Sequence, residues 1–367
     1  MLEELIQHLE ASQHLTDAQI QDAANDLVNE SVAPELKADF LCHLALKGET
    51  VEEIAGFARV LREKSIVPPI DSETRKREIL DVVGTGGDRL GTFNISTTVA
   101  IVCAAAGVTV AKHGNRGATS QCGSADVLEA LGVPIDLAPE KAAQALREQG
   151  FAFFFAPKYH PTFKHVAQAR KLCAERGQRT IFNFLGPLLN PARPSAALVG
   201  VPQTSLCEPL AKVLQSLGMR RAMVVCGEVA MKSEENHAPA THPDAALPTP
   251  HPALLDELSI LGKNTVAEFY HERGFTVSVL ETEHFAIQQA KLEDLLGGDR
   301  QVNAEIVRRL LGGKERGPKR DAILLNAAAA LFVAGKTRSL LEGWDLAGDL
   351  IDSGQAIRKL MELSAAR

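Results

Sequence analysis

The chain has 367 residues, 45% of them hydrophobic and 23% charged, and a formal net charge of -7. That composition excludes a disordered, collagen-like or coiled-coil protein, and its acidity counts against a generic nucleic-acid binder. No apolar run approaches the roughly 20 residues a membrane helix needs, and the start, Met1-Leu2-Glu3-Glu4-Leu5, is too acidic for a secretory signal, so a cytoplasmic location is expected.

Residues 1 to about 66 predict helices throughout. Thr16 with Gln19 and Thr50 with Glu53 have the spacing of capping boxes. Each precedes an apolar stripe, Ile20 and Leu27 in one case, Ile54, Phe57 and Leu61 in the other. Leu2, Ile6 and Leu9, and then Leu36, Phe40, Leu41 and Leu44, mark two further faces. Pro68-Pro69 and the charged run Asp71 to Glu78 read as a linker, which bounds a helical subdomain at 1–70.

From Ile79 the rhythm changes. Strands are predicted at 79–83, 108–111, 151–155, 197–201, 221–225 and 275–279, and helices at 96–106, 124–131, 321–334 and 354–363. The alternation predicts an α/β domain over 71–367, with a central, mostly parallel sheet flanked by helices. Residues 228–255 break the pattern with Pro239, Pro243, Pro248, Pro250 and Pro252. This is loop composition, and the spacing of its His237, His242 and His251 matches no metal-ligand pattern. Cys42, Cys103, Cys122, Cys173, Cys207 and Cys226 are scattered, with no CxxC pair, and read as buried or incidental thiols.

The chemistry concentrates after the first two strands. Asp81-Val82-Val83 runs into Gly84-Thr85-Gly86-Gly87-Asp88, and Thr92-Phe93-Asn94-Ile95-Ser96-Thr97 then opens a helix. Glycines let backbone N–H groups approach an anion, and a helix N-terminus adds free donors and a positive dipole end. Thr92, Ser96 and Thr97 add hydroxyls, and Ser96 can also ligate magnesium. The loop is neither a Walker loop nor a GxGxxG loop. The second strand ends in Lys112-His113-Gly114-Asn115-Arg116 and the stretch 117–123. Two polar loops at the carboxyl ends of two strands predict one shared pocket. Lys112, Arg116 and Arg89 would give it positive charge, which suits a small polyanion.

The stretch from Asp81 to Gly132, with its GTGGD, TFNIST, KHGNR and GSADVLEALG motifs, closely resembles the anthranilate phosphoribosyltransferase family. So do Phe155-Ala156-Pro157 with His160-Pro161, Arg179 to Pro191 (RTIFNFLGPLLNP), Asp256-Glu257-Leu258-Ser259 and Asn326 to Leu331. These matches run in the family's order over most of the chain. The resemblance implies a homodimer formed through the helical subdomain, which a segment near 166–192 helps to join to the α/β domain. Phosphoribosyl pyrophosphate would be held by Gly84, Gly86, Gly87, Asp88, Thr92, Asn94, Ser96, Thr97, Lys112, Asn115, Ser120 and Ser124. Anthranilate would meet Gly84, His113, Asn115, Arg170 and Gly186, and magnesium would meet Ser96, Asp256 and Glu257.

Lys112 and His113 are the catalytic candidates, acting by electrostatics and positioning, and His160 reads as structural. Neither a membrane nor a nucleic acid is expected as a partner. The rival readings are a pyrimidine nucleoside phosphorylase, which shares the fold, and a non-catalytic nucleic-acid-binding paralogue.

Two departures from the family stand out. Residues 228–255 form an insertion immediately before the acidic pair, and 171–178 is a few residues longer than usual, which raises the question of whether Arg170 keeps its place. Cys122 stands where serine is common.

Overall fold

Four helices open the chain, Leu2–Glu10, Asp17–Leu27, Pro34–Lys47 and Val51–Glu63. Both expected capping boxes form, with Thr16 on Gln19 and Thr50 on Glu53. Eight strands follow: β1 Ile79–Gly84, β2 Thr109–Gly114, β3 Phe151–Phe155, β4 Ala196–Gly200, β5 Arg221–Val229, β6 Ala253–Leu255, β7 Asn264–Tyr270 and β8 Gly274–Leu280. In this computed structural model residues 1–117, 121–229, 252–271 and 274–365 are described. Most of the insertion, and Ser120 among the expected phosphate ligands, lie outside them, as do His237, His242 and His251.

The strands form one sheet in the order β3-β2-β1-β4-β5-β7-β8, with β6 also pairing with β5. The run from β3 to β5 is parallel, while β6, β7 and β8 are antiparallel additions. The chain moves outward from β1 to β3 and then returns to β4 on the other side of β1. The carboxyl ends of β1 and β4 therefore flank the topological switch point, where open α/β sheets bind ligands. Gly84 and Gly200 are paired there.

Both faces of the sheet are covered, which is why its parallel strands read as nearly continuous apolar runs. In β4, Ala196 and Leu198 belong to one core cluster, while Ala197 and Val199 belong to the other. The first cluster packs under helices Ile95–Ala105, Arg300–Leu311 and Pro318–Val333. The second runs without a break from Leu2 and Phe57 through Leu188 and the helix Cys207–Ser216 to Val224 and Phe269. No helix among the described residues is long and apolar enough to cross a membrane.

Several elements differ from expectation. The charged run 71–78 contains a short helix, Ser72–Lys76, capped by Asp71, whose carboxylate accepts from the Thr74 amide. Strand β2 extends to Gly114, so Lys112 and His113 are strand residues rather than loop residues. The ends of the expected insertion are also strand, since Val229 pairs with Ala253 and Gly227 with Leu255. The longer stretch after Arg170 continues the helix Ala167–Glu175, which docks on the N-terminal bundle through buried Cys173, 3.6 Å from Cys42.

Candidate active site

The crevice forms where four segments meet at the switch point. The loop after β1 is seated from both sides. Thr85 N–H donates to the Gly200 carbonyl at 2.9 Å, and Phe93 N–H donates to the Leu295 carbonyl at 3.0 Å. The loop carrying Asp256 and Glu257 crosses directly over the paired glycines. A Cβ on Gly84 would stand 2.5 Å from Asp256 Oδ2, and one on Gly200 would stand 1.6 Å from the Asp256 carbonyl oxygen. Only residues without a side chain admit this crossing, a close backbone approach of the kind glycine permits.

The acidic pair is therefore built in, not a solvated loop. Gly86 N–H donates to Asp256 Oδ2 at 2.6 Å, and Ser96 N–H donates to Glu257 Oε1 at 3.1 Å. Glu257 thus sits on the N-terminus of helix Ile95–Ala105, where free N–H groups favour negative charge. Burial raises the Glu257 carboxyl to about 7, against the opposing pull of Lys112. Burial, together with the Asp88 and Glu257 carboxylates, holds Asp256 well above the usual carboxylate range.

Beneath this pair lies a buried charge network. The Lys112 ammonium donates to the Val82 carbonyl at 2.6 Å and to Ser96 Oγ at 3.2 Å. An ammonium has three donors, so one remains for an anion. Burial pulls the Lys112 pKa down, while Asp81 and Glu257 push it up. Asp81, 1% exposed, accepts from His113 N–H and from the Asn190 amide at 2.8 Å, and burial raises its carboxyl to about 6.

His113 faces the other way. Its Nδ1 lies 3.2 Å from the Gly186 carbonyl oxygen, which can only accept, so the proton is on Nδ1. Burial, reinforced by the neighbouring His160 ring at 5.3 Å, pushes its pKa down to about 3. The ring is therefore neutral at physiological pH and Nε2 is an acceptor; that atom is buried without a partner among the described residues. Among the described residues Asn94 Oδ1 and Thr97 Oγ1 also have no partner, and both are buried.

The other expected residues are placed as follows. Asn94 donates to the Cys122 carbonyl at 3.1 Å, and Ser124 Oγ to the Asn115 carbonyl at 3.3 Å, which folds the second loop against the first. Thr92 bridges to Leu296. Arg170 lies over the Phe182 ring at 5.5 Å and has no carboxylate partner among the described residues. Phe182 begins the helix Phe182–Leu188 that presents Gly186. Arg116 does not contribute free positive charge, because it is held by Asp126 and Glu129. Arg89 is exposed, with a left-handed backbone at φ 60. His160 stacks on Phe163 at 4.9 Å.

Two contributions escaped the sequence reading. Asp81 and Asn190 anchor β2 from below, and the only hint was a carboxylate in a strand otherwise apolar. Arg179, part of the RTIFNFLGPLLNP motif, donates to the Gly87 carbonyl at 3.2 Å and ties the segment before helix Phe182–Leu188 to the glycine loop.

A helical bundle joined to a parallel sheet, with a glycine loop and buried carboxylates at the switch point, defines a glycosyl transferase of the pentosyl-transferring kind. Residues 3–65 match the family model "Glycosyl transferase family, helical bundle domain", and 76–246 with 244–357 match its "a/b domain". The anthranilate phosphoribosyltransferase of Thermoanaerobacter sp. (strain X514) is 42% identical over 99% of this chain and 98% of its own length. That of Geobacter sulfurreducens is 42% identical over 95% and 94%. The crystal structure of anthranilate phosphoribosyltransferase from Thermus thermophilus superposes with a TM-score of 0.82 at 39% identity, covering 98% of each chain. The Saccharomyces cerevisiae enzyme in complex with phosphoribosyl pyrophosphate and magnesium gives 0.82 at 26%, covering 100% of this chain and 97% of that one. The chain belongs to the anthranilate phosphoribosyltransferase family.

Proposed function

We propose that this chain transfers the phosphoribosyl group of phosphoribosyl pyrophosphate to the amine of anthranilate at the switch-point crevice. The products are N-(5-phosphoribosyl)anthranilate and pyrophosphate, a step of tryptophan biosynthesis. The observation that carries this reading is the gathering of two kinds of group at one crevice: atoms buried without a partner among the described residues, His113 Nε2, Asn94 Oδ1 and Thr97 Oγ1, and the mutually repelling carboxylates of Asp88, Asp256 and Glu257. A buried polar atom without a partner costs about 1–3 kcal/mol, and a substrate that satisfies it recovers that cost.

The carboxylates suit magnesium. They are hard oxygen donors with Ser96 Oγ beside them, and a divalent cation would relieve their repulsion. Ser96, Asp256 and Glu257 would hold it, and its chemistry there is to offset the negative charge of the pyrophosphate. The neighbouring residues Gly84, Gly86, Gly87, Asp88, Thr92, Asn94, Thr97, Lys112, Asn115 and Ser124 would bind phosphoribosyl pyrophosphate, as would Ser120. Gly84, His113, Asn115, Arg170 and Gly186 would bind anthranilate.

The amine nitrogen bonds to the anomeric carbon as the bond from that carbon to the pyrophosphate oxygen breaks, and the proton that the substituted nitrogen then sheds passes to the departing pyrophosphate or to water. Charge builds on the leaving pyrophosphate, where the loop amides and the third Lys112 proton stabilise it without reorganising. His113 is too weak a base to remove a proton near neutrality, since a general base works best with a pKa close to the operating pH. Its Nε2 instead accepts an N–H of the already neutral aromatic amine and fixes the direction of attack. Arg170, with no carboxylate partner among the described residues, offers its fork to the anthranilate carboxylate.

A homodimer through the helical bundle accompanies this reading. Leu46, 72% exposed on helix Pro34–Lys47, is an apolar residue such an interface would cover. Light scattering at twice the chain mass would support it. A cytoplasmic location suits the buried cysteines.

Release of pyrophosphate on adding anthranilate, phosphoribosyl pyrophosphate and magnesium tests the function. Cleavage of a pyrimidine nucleoside by phosphate, or salt-sensitive DNA binding with no pyrophosphate release, would overturn it in favour of a rival.

A further inference from the structure

A second polar cavity lies away from the crevice, between the helical bundle and the α/β domain. It encloses about 250 Å³ and is lined by Arg59, Arg62, Glu63, Arg193 and the turn 216–219. Arg59 and Arg62 come from helix Val51–Glu63, and Arg193 from the turn before β4. None of the three has a carboxylate partner among the described residues. Arg62 donates to the Leu188 carbonyl and is depressed to about 10, first by burial and then by Arg193. Arg75 reaches the same turn through the Ala192 and Arg193 carbonyls. Arg193 has φ 47, a left-handed conformation uncommon for a residue with a side chain. Among the described residues Glu63 is the one carboxylate lining the cavity, so a positive surplus remains there in a chain that is acidic overall.

Guanidinium groups converging on a partly enclosed space repel one another unless an anion joins them, and their planar forks match phosphate oxygens. We propose that this cavity binds a small phosphate-bearing anion that bridges the helical bundle to the α/β domain. Its position gives it a route to the crevice. Arg62 holds Leu188, the last residue of the helix whose Gly186 carbonyl orients His113. Occupancy fixes that helix against the bundle.

The test is equilibrium dialysis with inorganic phosphate and, separately, ribose 5-phosphate, on the wild type, Arg59→Gln/Arg193→Gln and Glu63→Gln. These residues are exposed, so the variants are expected to fold, which their circular dichroism checks. The arginine variant should lose one phosphate per chain, or bind it at least tenfold more weakly, with kcat/KM in phosphate-free buffer unchanged. Glu63→Gln should tighten the same phosphate several-fold. Preference for one of the two probes distinguishes free phosphate from a phosphate ester. Phosphate binding that is the same in all three proteins would overturn the site. So would loss of all wild-type binding on Lys112→Gln, since the phosphate would then belong to the crevice alone.

Discussion

Lys112 and His113 are neighbours on β2 with opposite tasks, and the alternation of a strand separates them. Lys112 points to Ser96 and the acidic pair, His113 to Gly186. Lys112→Gln should lower kcat by on the order of 10²–10³, the loss typical of removing one preorganised donor to a developing anion. His113→Asn should mainly raise KM for anthranilate, and steady-state kinetics with each substrate varied separate the two. The histidines also set an acid limit on stability. His113 and His160 sit at about 3 and about 4, below their ordinary 6.5. As pH falls below 6.5 the unfolded chain binds protons that the folded chain refuses. Each histidine therefore withdraws about 1.4 kcal/mol of stability per pH unit down to its folded pKa. Relative to wild type, His160→Gln should flatten the loss between pH 6.5 and 4 in urea denaturation, and parallel curves would contradict it. These tasks were only partly legible in the sequence. KHGNR marked the place, but the orientation of each side chain depends on where β2 ends, which polar residues in a buried strand disguise.

At the scale of elements, the crossing of the 256–257 loop over Gly84 and Gly200 fixes the acidic pair. Gly200→Ala should cost more activity than Gly84→Ala. Its Cβ meets backbone at 1.6 Å, whereas at Gly84 the nearest atom belongs to the Asp256 side chain. Both variants should require more magnesium for half-maximal rate, as a titration against a fixed substrate pair would show. Helices were legible at Thr16 and Thr50, where capping chemistry is local, but Pro139–Gln149, Cys207–Ser216, Arg300–Leu311 and Leu340–Asp352 were not read, although Asp299 and Ser339 cap the last two. Strand β7 was not legible, because Asn264 to Tyr270 carries polar Thr265 and Glu268 at partly exposed positions. Nor could the sequence show that Arg116 turns away to Asp126 and Glu129, because a loop's charges choose partners only once the following helix is in place.

On the scale of the whole molecule, the second core cluster does not stop at the subdomain boundary expected at residue 70. It continues from Phe57 to Val224 without a gap. Unfolding should therefore be a single transition, coincident by circular dichroism and by loss of activity. Phe57→Ala, remote from the crevice, should cost about 3–5 kcal/mol of stability, whereas a bundle unfolding by itself would give two transitions. The most direct test of the proposed transferase site is the loss of anthranilate fluorescence with phosphoribosyl pyrophosphate and magnesium, followed in the wild type and in Asp256→Ala/Glu257→Ala. Rapid loss in the wild type and none in the folded double variant is the predicted result. Equal loss in both would remove the acidic pair from the reaction, and no loss in the wild type at any magnesium concentration would contradict the transferase itself.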